Sequence, residues 1–309
     1  MSKRTPRPVS SDFDPEVMRL FDQYVHGLID RRGFLAGAGR FAVGASGALG
    51  LLAALSPQFA EARQVAPEDP RIEVSQLEFN SPQGNGKGRG YLVRPAAATA
   101  PLPVVMVVHE NRGLNPHIED VARRMALEGF IAFAPDALFT LGGYPGDEDA
   151  ARTLFGKLDP RKTREDFVAA AHMLHGLDGG NGRLGVVGFC YGGAIANMLA
   201  TRLPDLAAAA PFYGSAPALE DVGCIGAELL VVLAENDERV NATWPEYKAA
   251  LEKGQVRHAL LQPPGTQHGF HNDTTPRFDE DAAAQAWRTT VDLFKRTLPS
   301  VEPATPPEA

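Results

Sequence analysis

The chain has 309 residues, of which 44% are hydrophobic and 22% charged, with a formal net charge of −8. That composition buries a full-sized core and fits one large α/β domain with an extension. The absence of any Lys/Arg-rich run excludes a phosphate-backbone footprint and hence nucleic acid as a partner, and two cysteines, Cys190 and Cys224, cannot build a disulfide framework.

Residues 1–11 are polar and proline-bearing and are expected to be disordered. Over Pro15–Ile29, Val17, Leu20, Phe21, Tyr24, Val25 and Leu28 recur at helical spacing, which predicts a short amphipathic helix. Arg31 and Arg32 follow, then Gly33-Phe34-Leu35, an apolar Gly/Ala-rich stretch over Phe41–Leu55, and Ala60-Glu61-Ala62. A positive region, an apolar run and a small-x-small site, in that order, are the layout of an export signal. The paired arginines resemble a twin-arginine signal, which exports folded proteins. On this reading residues 1–62 are removed and the mature protein is periplasmic. An uncleaved membrane anchor and a cytoplasmic protein are the alternatives. The apolar stretch is short for a span of about 20 residues, so no stable membrane partner is expected unless the segment stays uncleaved. Residues 63–298 then form the single folded domain, and residues 299–309 a proline-rich, frayed tail.

From Val65 onward strands and helices alternate. Ile72–Phe79 and Gly90–Arg94 read as antiparallel strands around a Gly/Asn/Pro loop, Ser81–Lys87. Strands follow at Val104–Val108, Phe130–Ala134, Leu184–Phe189, Ala207–Phe212, Leu229–Leu233 and His258–Leu261, and helices at His117–Glu128, Arg164–Leu177, Gly192–Leu203, Trp244–Lys253 and Asp279–Leu298. Such alternation specifies an α/β fold, a mainly parallel central sheet with helices on both faces. Chemistry in these sheets gathers at the carboxyl ends of the strands.

Gly188-Phe189-Cys190-Tyr191-Gly192-Gly193 lies at such an end, between a strand and a helix. It is the G-x-S-x-G nucleophile elbow of the α/β-hydrolase fold with cysteine in the serine place. The turn forces strained backbone on the nucleophile, and the glycines remove Cβ clashes around it. At a helix N-terminus the thiolate gains from the backbone dipole, and the Tyr191 N–H is a candidate oxyanion donor. Cys224 has no such context and reads as structural or surface. A cysteine nucleophile needs a base, and the base an orienting acid, in the chain order nucleophile, acid, histidine. Asp237, just past the strand Leu229–Leu233, is the candidate acid, with Glu235 as runner-up. His268, in the loop after the last strand, is the candidate base; His271 is the runner-up or a substrate-binding residue, and His258 lies within a strand. His109-Glu110-Asn111-Arg112-Gly113 follows another strand and belongs at the rim, with Asn111 offering a second oxyanion N–H. Tyr213, at a further strand end, is a candidate for the pocket wall.

These residues resemble the dienelactone hydrolase (carboxymethylenebutenolidase) family over roughly residues 75–297. The elbow, the His-Glu-Asn-Arg-Gly loop and the His268-Gly269-Phe270-His271 segment carry the resemblance. It implies hydrolysis of an ester or lactone through an acyl-enzyme on Cys190. It further implies a role for Glu110 beside the resting thiol, and an oxyanion hole from the Asn111 and Tyr191 amides. The family's arginine four residues after the histidine is here Asn272, which leaves Arg112, Arg239 or Arg277 to meet a substrate carboxylate. No organic cofactor is implied: the Gly84–Gly88 run is a turn between strands, not a phosphate loop. No metal is expected either, since His172 and His175 have no companion ligands at useful spacing. The competing readings are a non-catalytic exported binding protein on a hydrolase fold, and a thioesterase or acyl transferase.

Overall fold

The structure, a computed structural model, describes residues 8–41 and 47–299. The first part of the predicted disordered start and nearly all of the predicted tail lie outside the described residues, as do residues 42–46 of the apolar stretch. Four helices come first: α1 (Pro15–Val25), α2 (Arg31–Ala38), α3 (Gly47–Leu55) and α4 (Phe59–Ala62). Asp14 and Asp30 cap α1 and α2 by accepting backbone N–H bonds from Glu16 and Gly33. The helix predicted to Ile29 ends at Val25, and Gly27 then takes a φ of 75° that turns the chain away.

The remainder is one eight-stranded sheet with helices on both faces. In chain order come β1 (Ile72–Ser81), β2 (Gly86–Pro95), β3 (Leu102–Val108), α5 (Pro116–Leu127), β4 (Ile131–Pro135), α6 (Glu148–Phe155) and α7 (Pro160–His175). Then follow β5 (Gly180–Phe189), α8 (Tyr191–Arg202), β6 (Ala208–Phe212), β7 (Glu228–Val232), α9 (Glu238–Asn241), α10 (Trp244–Lys253), β8 (His258–Leu261) and α11 (Glu280–Thr297). The spatial order is β1-β2-β4-β3-β5-β6-β7-β8. β1 and β2 pair antiparallel and β2 meets β4 antiparallel, while every pairing from β4 to β8 is parallel.

The central strands read as unbroken apolar runs because both faces are covered. In β3, Val105 and Val107 pack under α5 and α11, whereas Val104, Met106 and Val108 face α7, α8 and α10. This period of two splits the core into two layers, one on each side of the sheet. β1 and β2 run farther toward their turn than the sequence indicates, and α6, an amphipathic helix, was not legible as a periodic segment. Helix α7 starts at Pro160, where Asp159 accepts N–H bonds from Arg161 and Lys162.

The N-terminal helices form a third apolar cluster of Val17, Leu20, Phe21, Tyr24, Phe34, Leu52 and Leu55, among others. Helices this short are marginal in isolation, so this cluster and its docking on the sheet domain hold them. Among the described residues, no helix is long and apolar enough to cross a membrane.

Candidate active site

The site begins with backbone that only certain residues tolerate. β5 ends at Phe189, and Cys190 takes φ 55°, ψ −111° before α8 starts. That left-handed conformation costs an L residue on the order of 1–3 kcal/mol. A Cβ on Gly188 would lie 2.0 Å from the Gly192 carbonyl oxygen, and one on Gly192 would lie 2.2 Å from that of Val108. Glycine is therefore obligatory at both. The Cys190 N–H donates to the Phe212 carbonyl at 3.0 Å, which pins the turn to β6.

Asp237 and His268 arrive from neighbouring strands. The parallel pairing of β7 and β8 continues past their ends through a bridge between Asn236 and Gln267, so the two loops lie side by side. His268 Nδ1 sits 2.5 Å from Asp237 Oδ2, with both side chains buried. The Cys190 sulfur and the ring nitrogens of His26 and His268 lie within 4.8 Å of one another. Burial alone would push the Cys190 thiol up. The charge of His268, and hydrogen bonds from His26 and His268, outweigh it and bring the thiol down to about 6. Burial likewise disfavours the charged form of His268, but the thiolate and Asp237 raise that imidazole to about 10. The two shifts share one cause, since each group's charge favours the charged form of the other. Asp237 is held below the usual carboxylate range: burial acts against this, and the His268 hydrogen bond prevails.

The His109–Arg112 loop follows β3. His109 is fully buried; its Nδ1 lies 2.6 Å from the Glu110 carbonyl, and its Nε2 accepts the Ala137 N–H at 3.2 Å. One donor and one acceptor define a neutral ring, and burial accordingly lowers its pKa to about 4. The neutral ring fixes the loop so that Glu110, Asn111 and Arg112 all face the cavity that holds Cys190 and His268. Glu110 Oε2 accepts a bond from Asn272 Nδ2 at 2.9 Å; among the described contacts none joins Glu110 to the sulfur. Asn272, in the place of the family arginine, thus orients Glu110.

Residues 89–298 match the dienelactone hydrolase family. The chain belongs to the dienelactone hydrolase family. It is a hydrolase acting on carboxylic ester bonds, of the carboxymethylenebutenolidase type. A candidate carboxymethylenebutenolidase of Synechocystis is 32% identical over 245 residues, which are 74% of this chain and 99% of the relative. A candidate hydrolase fragment of Escherichia coli K12, YghX, is 53% identical over 113 residues, 37% of this chain and 97% of the fragment. The crystal structure of a candidate dienelactone hydrolase from Klebsiella pneumoniae superposes with a TM-score of 0.64 at 27% identity, covering 72% of this chain and 99% of that one. A separate match, described as YqhI-like, spans residues 5–43. The hydrolase family match therefore begins well after the N-terminal helices.

Those helices nevertheless build part of the dienelactone hydrolase cavity. It has a volume of ≈ 290 Å³, and its wall includes Phe21, Tyr24, Val25 and Arg31 beside Glu110, Arg112, Cys190, His268 and Arg277. The contacts that dock them are polar as well as apolar. Arg31 pairs with Asp149 at 2.8 Å, and the Tyr24 hydroxyl also bonds to Asp149. Arg152 donates to the Tyr24 carbonyl at 2.6 Å, Arg112 and Asn111 both donate to the Val25 carbonyl, and the Gln58 N–H donates to Thr274 at 2.8 Å. His26, at the end of α1, lies 3.6 Å from the Cys190 sulfur.

The other sequence candidates divide. His271 is fully buried, stacked between Phe189 and Trp287, and is not among the cavity-lining residues. Burial depresses its pKa to about 3, so it is a neutral packing residue. Tyr213 is buried behind the site, its ring packed 4.9 Å from that of His268. The Tyr191 ring packs with His109, Phe155 and Phe167, which leaves only its backbone N–H to the site. Glu235 accepts the Gly265 N–H and so ties the loop after β7 to the loop after β8. Cys224 is exposed and unpaired. His26 and Asp22 were missed because the region before residue 63 reads as a removable signal. The available clue was a polar i, i+4 pair at the end of an otherwise apolar stripe.

Proposed function

We propose that the protein cleaves small carboxylic esters or lactones with Cys190 as nucleophile, through a thioester acyl-enzyme. The reading rests on one observation: the Asp237–His268 pair, 2.5 Å apart, stands beside a cysteine at a strained strand-to-helix elbow. In the first half-reaction the Cys190 thiolate attacks the carbonyl carbon and the carbonyl electrons move to oxygen. Backbone N–H groups of Tyr191 and Asn111 receive that oxyanion; a donor of this kind is worth roughly 10²–10³ in rate. Collapse breaks the carbon–oxygen bond, and the leaving alkoxide takes the proton from His268 Nε2. Water then attacks the thioester, its proton returns to the histidine, and the thiolate leaves.

The wall carries both signs, with Arg31, Arg112 and Arg277 among Glu110, Asp147, Glu148 and Asp149. Arg277 is buried, lines the cavity and pairs through Nη1 with Asp22 at 3.6 Å, while its Nε has no hydrogen-bond partner among the described residues. Arg112 stands in the same wall. Arg277, through its unbonded Nε, is the candidate to meet a substrate carboxylate in place of the arginine absent at Asn272. A panel of dienelactone, p-nitrophenyl acetate and an acyl thioester, tested on the full chain and on Cys190→Ala, examines the reading. Turnover lost in the variant supports it. Equal turnover in both proteins contradicts it, and selective thioester cleavage would make the protein a thioesterase. Twin-arginine export is a separate proposal, examined by fractionating cells that express the full chain.

A further inference from the structure

Two histidines, not one, stand at Cys190, and the second comes from outside the hydrolase domain. His26 Nε2 lies 3.6 Å from the Cys190 sulfur and 3.2 Å from His268 Nε2. Its other nitrogen, Nδ1, is 2.8 Å from the Asp22 carbonyl oxygen and 3.3 Å from the Asp22 carboxylate. Both neighbours of Nδ1 are acceptors, so Nδ1 carries a proton. The Asp22 backbone carbonyl therefore holds the His26 ring, with the Asp22 carboxylate close beside it, where His268 is held by the Asp237 carboxylate directly. We propose that His26 is a second catalytic histidine, and that the Asp22–His26 and Asp237–His268 pairs together hold the proton that Cys190 gives up.

The argument is one of donors and acceptors. Two imidazole nitrogens 3.2 Å apart are bonded only if one presents a proton and the other a lone pair. With the His26 Nδ1 proton given to the Asp22 carbonyl and that of His268 to the Asp237 carboxylate, a single proton lies between the two Nε2 atoms. Arg239 supplies the reason for one proton rather than two. Its Nη2, a pure donor 3.0 Å from His26 Nε2, requires the lone pair on that nitrogen, so the shared proton rests on His268 Nε2. The groups facing His26 are thus Asp22 on its own helix, Cys190 of the elbow, His268 after β8 and Arg239 of α9. Arg277, 3.6 Å from Asp22, completes the set.

The inference rests on the cysteine reading above and adds a proton path to it. The thiol proton leaves sulfur for the shared site, which leaves the thiolate free to attack. In acylation that proton passes to the leaving alkoxide, and in deacylation the proton lost by water refills the shared site. Proton count and charge are restored at the end of the cycle. The working enzyme must therefore keep the N-terminal helices, whether or not it is exported.

The test uses the full chain as wild type, His26→Ala, His26→Asn and Cys190→Ala. Ultraviolet thiolate absorbance and kcat/KM are both followed against pH. Loss of His26 is expected to raise the thiolate midpoint by about one pH unit, with the acid limb of kcat/KM moving by the same amount. His26→Asn preserves bulk but cannot relay a proton, so it should behave like His26→Ala. A purely structural residue would lower the melting temperature and leave the midpoint in place, and that result overturns the proposal. If Cys190→Ala retains wild-type turnover, the cysteine reading itself fails, whatever His26 does. Should the His26 variants not fold, nitrogen-detected NMR of the wild-type imidazoles decides: a scalar coupling between the two Nε2 atoms is expected, and its absence overturns the idea. Recovery of the working enzyme from its native cell lacking residues 1–62 would overturn it as well.

Discussion

Replacing His268 by alanine should make the Cys190 thiol markedly less acidic while leaving the elbow intact. In the native site burial raises the thiol, and His268 is the largest of the influences that bring it down to about 6 from an ordinary 9.0. At pH 7 a group with that value is roughly 90% thiolate, against about 1% at the ordinary value. Removing His268 leaves burial opposed only by His26, so the midpoint should climb by about two units or more. The thiolate present at pH 7 then falls to about 10% or less. The assay is the rate of iodoacetamide alkylation of Cys190 from pH 5 to 10, with the modified peptide identified by mass spectrometry. Exposed Cys224 serves as an internal reference. At least a tenfold slower reaction at pH 7, relative to that reference, is expected. A midpoint that stays near 6 in the variant would refute the thiolate–imidazolium account.

The same pair sets the pH dependence of turnover: kcat/KM should fall as pH drops through about 6, where the thiolate is protonated, and fall again above about 10, where the imidazolium is lost. A stopped-flow pH profile checks both limbs. Asp237→Asn should lower kcat/KM by roughly 10²–10⁴-fold, because an amide no longer compels the correct histidine tautomer; steady-state kinetics with p-nitrophenyl acetate reads this. Gly188→Ala should disrupt the elbow, since the added Cβ meets backbone rather than a movable side chain; soluble yield and Cys190 alkylation rate report it. Phe34→Ala removes a fully buried ring from the N-terminal cluster, a loss of about 3–5 kcal/mol. Limited proteolysis should then cut before residue 62 while the sheet domain keeps its melting transition.

The sheet was legible because its strands carry unambiguous physics. Val104–Val108 has no polar residue, so it is a strand covered on both faces, and each elbow or loop residue at a strand end could be placed from chain order alone. The carboxyl ends of β3, β5, β7 and β8 accordingly deliver Glu110, Cys190, Asp237 and His268 to one place. The histidine pair in His268-Gly269-Phe270-His271 could be ordered but not separated by sequence. Burial between Phe189 and Trp287 is what makes His271 a packing residue. Helix α6 escaped notice because its eight residues are held mainly through Tyr24, Arg31 and Arg112, contacts distant in sequence. The N-terminal contribution to the site escaped for a similar reason. Paired arginines before an apolar run satisfy the layout of a signal, and the same features serve packing: Arg31 meets Asp149, and Phe34 fills the cluster under α1. Local pattern alone does not reveal the packing use, because a contact such as Arg31 with Asp149 spans more than a hundred residues.

The central claim, covalent catalysis by Cys190, is tested most directly by quenching the wild-type enzyme during turnover of p-nitrophenyl acetate and locating the acyl group by peptide mass spectrometry. The account predicts an acetyl group on the peptide that carries Cys190, absent in Cys190→Ala. An acyl group on another residue, or steady turnover by Cys190→Ala at the wild-type rate, would contradict it.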